Sequence, residues 1–162
     1  MTTQTIRYPE ELFKLYRRGW AFPVWFWEHK GLFHERLLNS KQRSKYGFGE
    51  SFTAIHFRKL GYKVLTGGHR KQTIDKRRYK IALDLLGKKG AKVALKQTGT
   101  HPPDLLVYKK GGPRFFVEVK MPWDSVSDAQ KKLFAAIEKR LRWRVKIVRL
   151  KPRRPRRKRT NR

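Results

Sequence analysis

Between Asp104 and Leu150 the chain strings together short structural signals that few folds can accommodate. Asp104–Tyr108 (DLLVY) and Arg114–Lys120 (RFFVEVK) are short apolar runs rich in β-branched and aromatic residues, as strands are. Lys109–Pro113 (KKGGP), between them, has the length and the glycines of a hairpin turn. Ser127-Asp128-Ala129-Gln130 matches S-x-x-Q. That pattern opens a helix, because the first hydroxyl accepts from the fourth backbone N–H while the fourth side chain reaches back. The helix it opens is amphipathic through Leu133, Phe134, Ile137 and Leu141, and Arg144–Leu150 (RVKIVRL) then alternates as a final strand. Two paired strands, a helix and another strand require a sheet with helices packed on it, which predicts an α/β domain.

The rest of the chain is read around that series. Residues 47–66 predict a helix, with Phe48, Phe52 and Ile55 at helical spacing and Ala54 and Phe57 alongside, stopped by Gly61 and followed by a strand at Tyr62–Leu65. Residues 67–100 form a basic insertion, in which Ile74–Leu86 reads as a helix closed by Gly87 and Gly90, and Lys92–Lys96 (KVALK) as a short strand. Residues 1–46 read as a basic, aromatic-rich helical extension, with a helix start at Pro9-Glu10-Glu11. Its aromatic patch, Trp20, Phe22, Trp25, Phe26 and Trp27, reads as a small second core or a dimer contact, and alternatively as a surface for stacking on bases. Residues 151–162 hold eight basic residues, two prolines and no acid, and are expected to be a disordered polybasic tail.

Charge narrows the partner. The 162 residues carry a formal net charge of +30, so a polyanion is expected, with nucleic acid ahead of an anionic membrane surface. The 21 aromatic residues argue against disorder throughout. With no cysteine there are no disulfides, thiolate metal sites or cysteine nucleophiles. The longest apolar run, Trp20–Trp27, is far too short to span a bilayer, and the N-terminus lacks the look of a signal peptide. The expected setting is intracellular, in the cytoplasm, nucleoid or nucleus. Neither a GxxxxGK[ST] loop nor an HExxH pair is present, so no nucleotide cofactor is expected. Of the histidines, His29, His34, His56 and His69 lack metal-ligand spacing, and His101 reads as a loop residue without a role.

In so basic a chain the few acids are informative. Glu118 and Lys120 are two apart on one strand and therefore share a face. The hairpin can bring Asp104 beside Glu118. Two neighbouring carboxylates repel, and a hard divalent cation such as Mg²⁺ relieves the repulsion. It also lowers the pKa of a bound water and neutralises charge on a phosphate. Lys120 would orient the water or stabilise developing negative charge. A turn cap at Asp104 and a surface ion pair between Glu118 and Lys120 are the alternative.

Taken in order, Pro103-Asp104-Leu105-Leu106-Val107-Tyr108, Phe116-Val117-Glu118-Val119-Lys120 and Pro122-Trp123-Asp124-Ser125-Val126-Ser127-Asp128-Ala129-Gln130 resemble the VRR-NUC branch of the PD-(D/E)XK nucleases. That branch typically reads G-x-PDL, then VEVK, then a Pro, an Asp, a Ser and a Gln at this spacing. The resemblance covers roughly residues 101–150. It implies a restriction-endonuclease-like PD-(D/E)XK core, a mixed central β-sheet flanked by helices, over residues 47–150. It implies that Asp104, Glu118 and the backbone carbonyl of Val119 bind Mg²⁺, with Mn²⁺ able to substitute, that Lys120 is the catalytic lysine and that Gln130 stands close by. It also implies a glutamate on the first core helix, where Glu50 is the match and shares a helical face with Ala54 and Phe57. His101, Met121 and Ser125 depart from the pattern at places usually held by Gly, Gly and a basic residue, and none of them removes a metal ligand.

The implied activity is a metal-dependent endonuclease on branched or structured DNA, such as a four-way junction or flap, in repair or recombination, with a homodimer among the relatives' arrangements. A non-catalytic nucleic-acid-binding protein that retains the fold is the alternative.

Overall fold

The computed structural model describes residues 1–19, 21–33, 47–66, 75–95 and 101–153. In chain order its elements are β1 (Thr2–Tyr8), α1 (Glu10–Arg17), α2 (Ala21–Glu28), α3 (Phe48–Lys59), β2 (Lys63–Thr66), α4 (Lys76–Ala94), β3 (Leu105–Tyr108), β4 (Arg114–Lys120), α5 (Asp128–Leu141) and β5 (Arg144–Pro152). The five strands form one mixed sheet in the order β1-β5-β4-β3-β2. The β3–β4 and β2–β3 pairs are antiparallel, and β4–β5 and β5–β1 are parallel.

The central strands are apolar on both faces because helices cover both faces. Leu105, Val107, Phe115, Val117 and Val119 face one core, shared with Ala54 and Phe57 of α3 and with Tyr16 and Trp25 of the N-terminal helices. Leu106 and Phe116 face a second core, shared with Tyr79 and Ala82 of α4 and Leu133, Phe134 and Ile137 of α5. The hairpin, the capping box at Ser127 and Gln130, and the final strand lie where the sequence places them.

Three expectations are corrected. The N-terminal extension is not wholly helical, because Thr2–Tyr8 is an edge strand paired in parallel with Lys146–Pro152. Only Ile6 and Tyr8 of that strand are buried, so its sequence shows a single step of apolar alternation, and its place is fixed by a partner 144 residues away. Lys151 and Pro152, expected in the tail, are the end of β5 and pair with Arg7 and Tyr8. Lys92–Ala94 is helix and not strand, since α4 bends at Gly87 (φ 68°, ψ 169°) and resumes through Ala94. There the small residues Gly90, Ala91 and Ala94 recur at helical spacing and are buried, and Gly90 sits against Leu86 and Leu141. That close approach to α5 outweighs the strand-like look of the short apolar run in KVALK.

Trp25, from the aromatic patch, is core: its ring packs on Tyr16 at 5.5 Å and Phe48 at 6.0 Å, whereas Trp27 is exposed. Trp20 and the side chains of Phe22 and Phe26 lie outside the described residues, as do His34, His69, Lys96 and residues 154–162. Arg78 of α4 ties the layers together, donating to the Gly31 carbonyl and the Thr66 hydroxyl and pairing with Asp75. Among the described residues no helix is long and apolar enough to cross a membrane.

Candidate active site

At one end of the sheet an open cleft of about 770 Å³ is lined by Glu50, Asp104, Glu118 and Asp124, four of the chain's twelve acids, together with Lys120. So strong a gathering of acid in a chain of charge +30 needs a chemical reason, and the local structure of each residue shows how it is achieved.

Leu105 pairs with Val117, so Asp104, just before β3, falls level with Glu118 on β4. Asp104 is anchored by accepting the Val119 N–H on Oδ2 at 2.8 Å. Glu118 and Lys120 project on the same side of β4, and their charged groups meet at 2.7 Å while both are buried. Gln130, in the first turn of α5, bridges them. Its Nε2 donates to Glu118 Oε1 at 2.6 Å, and its Oε1 accepts from Lys120 Nζ at 3.1 Å and from the Ser127 N–H at 3.2 Å. Gln130 is thus both the closing residue of the capping box and the link between the two charged groups, so the start of α5 is fixed to the site by the same side chain that caps it. A buried charged pair is costly to desolvate and holds only when its other hydrogen-bonding capacity is also met, and the bridging amide meets part of it.

Glu50 reaches the cleft by a different device. It lies in the first turn of α3, beginning at Gly47, whose φ of 81° favours glycine. Gly49 lets this turn approach β4 and β5: a Cβ there would lie 3.0 Å from Met121 Sδ, 3.1 Å from Val119 Cγ1 and 3.2 Å from Leu150 Cδ1. Fully buried Tyr16 of α1 senses the same carboxylate. Burial first, and Glu50 second, push its phenol well above its ordinary value.

The acidic side chains of the cleft offer carboxylate oxygens, the donors that hard cations such as Mg²⁺ favour, and Met121 is the one sulfur among the described lining residues. Among the described residues no three His, Cys, Asp or Glu side chains close up into a metal cage. Asp104 and Glu118, level with each other on neighbouring strands, would supply few protein ligands, as suits Mg²⁺, which keeps several waters. On these grounds the residues fit such an ion.

The expected site residues Glu50, Asp104, Glu118, Val119 and Lys120 all line this cleft, and Gln130 is hydrogen-bonded to two of them. Phe13 and Arg17 of α1, Met121, Trp123 and Asp124 line it as well and were not expected there. Trp123 and Asp124 fall inside the quoted motif, and Gly47-Phe48-Gly49 before Glu50 is a local glycine signal, whereas nothing local marks Phe13 or Arg17. His101 is exposed, and the imidazoles of His29 and His56 are pushed below their ordinary value, chiefly by burial.

Fold and cleft together define an α/β protein whose scarce acids converge with a buried lysine at one end of a mixed sheet. The VRR-NUC domain matches residues 57–151, more than half of the chain, and the chain belongs to that family. Membership implies nuclease activity in general and hence a nucleic acid substrate. Neither the curated proteins nor the solved structures gave a match.

Proposed function

We propose that this chain is a divalent-metal-dependent endodeoxyribonuclease of the PD-(D/E)XK type, acting on branched or otherwise structured DNA. The observation that carries the reading is the interlocked Glu118–Lys120–Gln130 group beside Asp104, which keeps carboxylate and ammonium side by side in a cleft open to a polyanion.

In this reading Asp104, Glu118 and the Val119 carbonyl would hold Mg²⁺ or Mn²⁺, with Glu50 completing the acidic rim. Such an ion would supply a water of lowered pKa and neutralise charge on the phosphate. Asp104 is oriented by the Val119 N–H. Lys120 has a second partner in Gln130, which would keep it in place beside a Glu118 engaged in binding the ion. From there its ammonium orients the attacking water and stabilises the charge that grows on the phosphoryl oxygens. The water loses a proton to solvent as its oxygen bonds to phosphorus, the bond to one sugar oxygen breaks, and that oxygen takes a proton from solvent water, so that one water is added across the P–O bond. The surrounding Lys and Arg residues hold flanking phosphates, which positions DNA without reading its sequence.

The test is cleavage of a labelled panel: four-way junction, 5′ flap, 3′ flap, linear duplex, single-stranded DNA and RNA, each with Mg²⁺, Mn²⁺ and EDTA, beside Lys120→Ala. Metal-dependent cutting of a branched substrate, lost in the variant, is the expected result. Tight binding without cutting under any metal would overturn the reading in favour of a non-catalytic nucleic-acid-binding protein.

A further inference from the structure

The cleft has an aromatic lip that the hydrolytic chemistry does not use. Trp123 is 66% exposed, unusual for so large an apolar side chain, and lines the same cleft as Asp104 and Glu118. It is displayed on a short turn, Met121–Asp124, closed from both ends: the Asp124 N–H donates to the Met121 carbonyl at 3.0 Å, and the Met121 N–H donates to Asp124 Oδ2 at 3.1 Å. Its ring leans on Phe13 of α1, with centroids 5.9 Å apart at 42°. The Arg17 guanidinium lies 5.9 Å from the centre of the Phe13 ring, and Arg17 lines the cleft too. On the other side, Met121 is shared with a second depression that carries Arg7, Arg149 and Lys151. An exposed, braced indole thus stands at the acidic cleft, with Arg17 in the same lining and further cations in the adjoining depression.

We infer that Trp123, braced by Phe13, stacks on an unpaired nucleobase of the strand in the cleft, with Arg17 receiving an adjacent phosphate, and that this lip selects nucleic acid whose base stack is interrupted. The inference rests on the proposed nuclease reading for the strand's position. An indole needs the face of a base, and in a continuous duplex both faces of each internal base are covered by its neighbours. An end, a flap, a branch point or a single strand presents a free face. Base–aromatic stacking is tolerant of sequence because every base has a π face. The high positive charge alone would favour duplex at least as strongly, since duplex has the denser phosphates. Preference for an interrupted stack therefore needs a device of this kind.

The test is binding by fluorescence anisotropy in EDTA, so that no cleavage intervenes, using the full chain and its Trp123→Ala and Trp123→Phe variants. The probes are a flap, single-stranded DNA, single-stranded RNA and a duplex capped at both ends by non-nucleotide linkers, which has neither free ends nor unpaired bases. Trp123→Ala is expected to weaken binding to the unpaired DNA probes about tenfold while changing the capped duplex less than twofold, and Trp123→Phe to restore most of the loss. A 2-aminopurine in the unpaired strand is expected to be quenched by the wild type and not by Trp123→Ala. The RNA arm shows whether the lip takes ribose strands equally, by the same loss in the variant. Equal weakening on capped duplex and unpaired strands, or no weakening at all, would overturn the inference. The two readings fail separately. A protein that never cuts but loses unpaired-strand binding in Trp123→Ala refutes the nuclease reading alone. One that cuts normally with its preference intact in that variant refutes the lip alone.

Discussion

The two walls of the cleft are built in opposite ways. One consists of β3, β4 and the first turn of α5, a run from Asp104 to Gln130 within the VRR-NUC match, and it carries Asp104, Glu118, Lys120 and Gln130. Its contacts are short in sequence: a hairpin, an i,i+2 pair and a capping box. The other consists of α1 and the start of α3, lies ahead of that match, and carries Phe13, Arg17 and Glu50. It is placed by long-range packing alone, through rings such as Phe13, Tyr16 and Trp25 converging on Phe48 and through the glycine gap at Gly49. A compact motif can thus specify the groups proposed to react, while the facing wall of the cleft is added by chain that folds back over it.

Perturbing the first wall should remove chemistry and spare the fold. Glu118→Gln keeps the volume of the side chain and an oxygen for Lys120, but loses the carboxylate. Cleavage is expected to fall about a hundred- to a thousandfold, as for loss of a central electrostatic group in other active sites, while the fold is retained at a lower urea midpoint because buried Lys120 loses its counter-charge. A gel assay beside an equilibrium melt checks both halves, and residual cleavage above a tenth of wild type would break the assignment.

Perturbing the second wall should cost fold and activity together. Gly49→Val drives a branched side chain into Met121, Val119 and Leu150, and overpacking of this kind typically costs about 1–3 kcal/mol. Glu50 moves with the displaced turn, so cleavage should fall as well. A variant as stable and as active as wild type would show that the close approach of α3 to β4 does not matter.

How much of this is legible in the sequence follows the same division. Asp104, Glu118, Lys120 and the capping box can be read because each relation spans few residues and has its own pattern: alternation, a turn, S-x-x-Q. The strand Thr2–Tyr8 could not be read, because five of its seven residues are exposed and its partner is β5, at the far end of the chain. The helix through Lys92–Ala94 is hidden in the sequence because the short apolar run of KVALK is local, whereas the packing of Gly90 against Leu141 is not. Glu50 is reached through the family resemblance, with its helical face in support, whereas the position of Phe13 and Arg17 beside it depends wholly on tertiary packing.

Two smaller effects sharpen the contrast. Gln130→Ala removes the bridge between Glu118 and Lys120 and half of the capping box. Loss of such a supporting hydrogen bond typically costs about 10–100-fold in metal affinity or activity, with about 1 kcal/mol or less in stability. Steady-state cleavage against Mg²⁺ concentration reads the first and urea unfolding the second, and an unchanged Mg²⁺ dependence would detach Gln130 from the site. Smallest is a pH effect on α3. Burial, then Lys59, holds the His56 imidazole below its ordinary 6.5, so the unfolded chain takes up the proton first as the medium is acidified. Its contribution is complete above that value and declines as pH falls below it. Thermal melts between about pH 7.5 and 5.5 should show a shallower decline for His56→Gln than for wild type, and an identical slope would contradict the burial of the neutral ring.

Mn²⁺ binding followed by electron paramagnetic resonance, in the wild type, Asp104→Asn and Glu118→Gln, puts the proposed cation site to the sharpest test. A saturable site is expected in the wild type and is abolished or severely weakened by either substitution, while Glu138→Gln, whose carboxylate pairs with the N-terminal ammonium outside the cleft, leaves it intact. Binding that survives in both cleft variants would overturn the proposed role of Asp104 and Glu118 in holding a cation.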